Sequence, residues 1–153
     1  MNSPAPTVGD TEPVIVRGRD FVAHALHGTG AIRRAIYPEL TGSQRLFIGL
    51  AEFGPGTAPH VFHRHGTEVV GEPGHRRRLS YAADFEEFYF VVEGTGEMQW
   101  RFDDGRQVAE PIAAGDAVYF PPGVVEHRIF NTGTSTMRVL YGGTPPARNE
   151  ALD

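Results

Sequence analysis

Cysteine is absent from all 153 residues. Disulfides and thiolate metal sites are therefore excluded, and any bound metal must sit on nitrogen and oxygen donors. Lysine is absent too, so all 14 basic residues are arginine, a bias of composition to which we attach no chemistry. Positive charge is scarce overall. A formal net charge of −5 argues against general nucleic-acid binding, which needs a basic face. No apolar run reaches the length of a membrane span, and residues 1–13 lack the basic-then-apolar order of a signal peptide. The expectation is a soluble, cytoplasmic protein with neither membrane nor nucleic-acid partner. Also missing is any helical stripe sustained over three turns.

What the chain has in quantity is turn formers, 19 Gly and 12 Pro. Many tight turns between short segments suit an all-β protein, because each hairpin demands special backbone angles. Residues 1–13 are small, polar and proline-rich and read as a flexible segment, as does the tail 144–153. Between them, residues 14–143 read as one domain. Strands are expected at 14–17, 31–37, 45–53, 61–65, 85–92, 97–102, 117–120, 127–130 and 137–141. The segment 45–53 is apolar on both parities at its centre and reads as covered on both faces. Short strands between Gly/Pro turns mean a sandwich or a barrel, and periodicity does not choose between them.

Four side chains stand out. His63 and His65 flank one residue within the expected strand 61–65, where positions i and i+2 share a face, so both imidazoles can reach one point. His127 follows the Pro121-Pro122-Gly123 turn, and Glu87 opens another strand-like run. Three imidazoles and a carboxylate make a facial N/O site for a first-row metal, with open positions for substrate or water. Taken one by one, such residues are more often surface or hydrogen-bonded groups. His60, Glu86 and Glu68 are rival ligands on composition alone.

In order along the chain these residues resemble the two motifs of the cupin superfamily. The first reads here as Gly56, then His63-Arg64-His65, then Glu87 with six residues to Gly94. The second reads Gly115, five residues, Pro121-Pro122-Gly123, His127 and Asn131. The resemblance implies an all-β fold, a single double-stranded β-helix or jelly-roll barrel. It also implies one divalent metal on His63, His65, Glu87 and His127, and a homodimer paired through the N-terminal strand at 14–17. Three spacings depart from the motif. His63 and His127 each come one residue late, and 21 residues separate His65 from Glu87 where three or four are usual. The inserted segment 66–85 is expected to form an extended loop or an extra hairpin at the barrel mouth.

Parity then sorts the neighbours. Tyr89 shares the face of Glu87 and is a candidate catalytic residue beside the metal. Glu86 points to the opposite face, and His60 has the wrong parity for His63 and reads as a surface or supporting residue. Met98, Trp100 and Phe102 share one face. Trp100 is a candidate for the substrate pocket, although core packing is the commoner role of such a stripe. Arg76, Arg77 and Arg78 in the insertion, beside His75, could clamp an anionic substrate through their planar forks of donors. Pairing with Glu68, Glu72 and Asp84 is the plainer role.

The resemblance implies the fold more closely than the reaction. The first expectation is a non-haem iron dioxygenase acting on a small aromatic or enolic substrate, with Fe(II) binding substrate and O₂ side by side. The second is a non-redox cyclase, isomerase or lyase using Zn, Ni or Mn, with loose similarity to the polyketide-cyclase type of small cupin. The third is a binding or sensing module without turnover.

Overall fold

The structure is a computed structural model that describes residues 12–23, 31–65, 68–70, 77–80, 84–144 and 148–151. Alternation of apolar and polar side chains builds its main sheets. In β3 (Phe47–Phe53), Phe47, Gly49, Ala51 and Phe53 point inward and are buried. In β6 (Glu87–Glu93), Glu87, Tyr89 and Val91 point inward, while Phe88, Phe90 and Val92 face outward and stay exposed. These two strands flank β11 (Met137–Gly143) in a six-stranded antiparallel sheet. Two strands, β1 (Val22–Ala23) and β2 (Ala31–Ile36), extend it on one side, and β9 (Ala117–Phe120) closes the other.

A second antiparallel sheet has the order β10 (Glu126–Phe130), β7 (Thr95–Arg101), β8 (Gln107–Ala113). The core lies between the two sheets. Phe53, Val91, Phe120, Met137 and Val139 from the first pack with Met98 and Ile129 from the second. This is the all-β jelly-roll barrel expected from the sequence. Helix is confined among the described residues to a 3-10 turn at Gly18–Asp20 and the single turn α1 (Pro38–Thr41), and no described helix is long and apolar enough to cross a membrane.

Two motif residues outside the candidate ligand set have structural roles. Gly94 turns from β6 into β7 at φ 92°, and a Cβ there would lie 3.0 Å from the Met137 Cα, so both backbone and packing require glycine. Asn131, fully buried, donates to the carbonyls of Phe53 and Ser135 and accepts from the Gly133 N–H. Its backbone N–H donates to Thr57, and its carbonyl accepts from Gly56. One residue, through backbone and side chain together, thus ties the end of β10 to the end of β3 and to the turn that precedes the histidines.

Three expectations are corrected. Residues 61–65 form no strand. They meet β10 at one bridge, His63 with His127, because the chain enters from a clamped turn and leaves for the insertion. Residues 14–17 carry no regular structure, and Val14 and Ile15 are exposed, because a strand needs a ladder partner and none lies beside them among the described residues. The outer face of β3 is only half covered, so this strand alternates instead of being buried twice over. Finally, β8 was not anticipated. It holds Pro111 and only two half-buried apolar residues, Val108 and Ile112, and it lies at a sheet edge where a missing N–H costs nothing.

The insertion contains a hairpin, β4 (Glu68–Val70) paired with β5 (Arg77–Ser80). Within the tail, β12 (Arg148–Ala151) adds to the other edge of β5 and completes a third, three-stranded sheet.

Candidate metal centre

Each ligand candidate is placed by a local feature. Glu87 is the first residue of β6, paired with Phe120 on one side and Gly143 on the other. His127 stands in β10 directly opposite Trp100 of β7. His63 reaches the same place through reciprocal backbone bonds to His127, of 3.1 and 2.9 Å. His65 follows two residues on. The outward side chains of this short segment pin it down. Phe62 lies between the guanidinium groups of Arg101 and Arg128, 4.4 and 4.5 Å from its ring, and Arg64 pairs with Asp103. Arg101 also pairs with Glu126.

The structure brings His63, His65, Glu87 and His127 together. All four are buried, and one donor atom from each lies within 4.8 Å of the others. His65 Nε2 and Glu87 Oε2 are 3.0 Å apart, yet neither atom makes a hydrogen bond of acceptable geometry there. Two donors held about 2.1 Å from one ion at right angles stand about 3.0 Å apart, so the approach suits a shared cation.

Charge and tautomer agree with this. Burial, with His65 adding to it, pushes His127 down to about 4, against a bond to Val125 that raises it. Burial also carries His63 well below its ordinary value, helped by His60, His127 and His65 around it. Both rings are therefore neutral at neutral pH. His127 Nδ1 is 2.8 Å from the Val125 carbonyl, which can only accept, so the ring proton is on Nδ1. His63 Nδ1 contacts the Val61 carbonyl at 3.3 Å in the same sense. The lone pairs sit on Nε2, and His127 Nε2 is buried with no hydrogen-bond partner among the described residues. A metal is the group this donor set fits, and the backbone carbonyls that fix the tautomers act as its outer support.

Two of the rivals have other partners. Glu86 is exposed and accepts a hydrogen bond from the Tyr119 hydroxyl at 2.5 Å. His60 is buried against His63 but bonds to Val61 and Tyr89. Tyr89 is buried on the Glu87 face, and Trp100 is half-buried and packs against the core. Arg76 and His75 lie outside the described residues. Arg77 and Arg78 fall in β5 and Glu68 in β4, with their side chains outside the described set.

Two aromatic neighbours went unnoticed in the sequence. Phe120 stacks on His127 with centroids 4.4 Å apart, and Phe85 stands edge-on to His65 at 4.6 Å. Their only signal was position, Phe120 just before Pro121-Pro122 and Phe85 two residues before Glu87.

The sequence profile of the cupin domain matches residues 69–142. No curated protein matches the chain. Among solved structures it is similar to the polyketide cyclase RemF of Streptomyces resistomycificus, at 18% identity and TM-score 0.63, covering 93% of this chain and 87% of that one. It is also similar to a predicted oxalate decarboxylase of Thermotoga maritima, at 20% identity and TM-score 0.58, covering 86% and 99%. An RmlC-like cupin of Shewanella frigidimarina NCIMB 400 aligns at 16% identity and TM-score 0.59, covering 90% and 95%. At these identities the likeness establishes the fold and leaves the reaction to the site.

Proposed function

For a chain that carries a cupin domain, we propose a metal-dependent enzyme acting on a small aromatic or enolic substrate, with Fe(II) and dioxygenase chemistry as the first reading. The observation that carries it is the buried set of three imidazoles and one carboxylate, one donor atom of each lying within 4.8 Å of the others. His63, His65, Glu87 and His127 would hold the ion. When bound, it would polarise a chelating oxygen of the substrate and, as Fe(II), supply the redox partner for O₂.

The protein's own part is recognition and exclusion of water. Phe85 stands against His65, Phe120 stacks on His127 and Tyr89 packs on Phe120, so apolar rings lower the local dielectric and suit a flat, unsaturated substrate. Tyr89 can meet the substrate through its hydroxyl.

One observation favours a second reading, a non-redox cyclase or isomerase. The Tyr89 hydroxyl is bonded to His60 beside the metal cluster, and a phenol backed by an imidazole can take a proton from an enol and return it.

Elemental analysis of untagged protein, paired with oxygen uptake on catechols, enols and β-diketones, separates the two. About one iron per chain with substrate-dependent uptake is the expected result. Zinc, nickel or manganese without uptake would replace the first reading by the second. Failure to take up any of these ions would remove both.

A further inference from the structure

Resting on the metal-enzyme reading above, we propose that His60 is a positioning residue. It holds the Tyr89 hydroxyl in one orientation and so makes Tyr89 a hydrogen-bond acceptor toward the substrate. His60 is 8% exposed, and its ring stands edge-on to His63 with centroids 4.4 Å apart. Its two nitrogens have different partners. Nδ1 lies 2.9 Å from the Val61 carbonyl, which can only accept, so the proton of the neutral ring is on Nδ1. Nε2 is then an acceptor, and it lies 3.1 Å from the Tyr89 oxygen, so Tyr89 donates. With these bonds made, His60 turns neither nitrogen toward the metal cluster, although its ring touches one of the ligands.

The consequence concerns substrate choice. A phenol has one proton, and Tyr89 gives it to His60. Toward a substrate Tyr89 can therefore act only by accepting. A chelator that keeps an O–H or N–H next to its metal-binding atom is matched, and one that offers an ether or carbonyl there sets two acceptors against each other. The substrate class is thus narrowed to enols, catechols and related hydroxyl-bearing chelators bound with one proton retained.

The test is a double-mutant cycle on the zinc-loaded protein, with 4-nitrocatechol as a chromophoric probe read by its absorbance shift. Zinc content is measured for each variant. His60→Leu and Tyr89→Phe should each weaken the probe about three- to tenfold, the range of one hydrogen bond. The double variant should bind no more weakly than Tyr89→Phe alone, because His60 acts through Tyr89. His60→Gln, which restores an acceptor, should recover affinity to within about twofold of wild type on the same scale. Zinc should stay near one per chain throughout.

Loss of zinc in His60→Leu would make His60 a ligand and overturn the inference. So would losses that multiply in the double variant, or a His60→Leu protein that binds the probe as wild type does. Wild type that takes up zinc and ignores the catechol would instead fail the substrate reading beneath it, and the inference would fall with that reading.

Discussion

Glu86 and Glu87 are adjacent and chemically identical, yet only Glu87 enters the barrel, because strand parity turns successive side chains to opposite faces. That distinction was legible in the sequence, as were the grouping of His63 with His65 and the inward turn of Tyr89. The depressed histidines were not, since they follow from burial and mutual proximity that no spacing reveals. They carry a consequence for the metal-free protein. His127 has a folded value of about 4 against an unfolded value near 6.5, so between those limits the unfolded chain binds more protons. Stability should therefore fall as pH drops from about 6.5 to about 4, and this residue should contribute no further change below that. His63 acts in the same direction. The contribution of His127 at neutral pH is up to about 3 kcal/mol. Urea midpoints of apo protein at pH 7 and pH 5 should show the loss, and His127→Phe should flatten it. An unchanged slope in that variant would place the titration on other groups.

Alternation made β6 and β7 readable as elements, and Gly/Pro turns marked where they end. One strand and one pairing escaped, and one expected strand did not form, each for a physical reason. The β8 strand shows water most of its side chains and contains Pro111, so neither pattern nor propensity announces it. The pairing of β12 with β5 joins segments about seventy residues apart, and nothing local in either names the other. Residues 61–65 look like a strand and carry two candidate ligands, but they make one bridge only. Their rigidity must come from side chains instead, above all Phe62 between Arg101 and Arg128. Two such contacts are worth about 0.5–1 kcal/mol each at a partly exposed site. If they pre-order His63 and His65, then Phe62→Ala should weaken metal binding by about tenfold, within the range of changes just outside a ligand set. Phe62→Tyr should stay near wild type. Competition against a chromophoric chelator measures both, and equal affinity in wild type and Phe62→Ala would show that the bridge alone suffices.

Across the whole molecule the four candidate ligands come from different places, β6, β10 and the 61–65 segment, and so they belong to both faces of the barrel. A cation among them would tie the six-stranded sheet to the three-stranded one, close to Phe85 and Phe120. Such an ion would bind the folded chain, because the unfolded chain does not hold the four donors together, and its affinity would therefore also be folding stability. At a free metal concentration one hundred times the dissociation constant the gain is about 2.7 kcal/mol. For a chain of this size that corresponds to roughly 5–10 °C in Tm. Protein loaded with zinc or iron should melt higher than protein stripped by chelation, by a margin that grows with metal concentration. His127→Ala, folded but lacking one donor from the three-stranded sheet, should lose most of the metal-dependent rise. Glu86→Gln should keep all of it, because that carboxylate faces solvent. A metal-dependent rise that survives His127→Ala unchanged would mean that the ion sits outside the barrel.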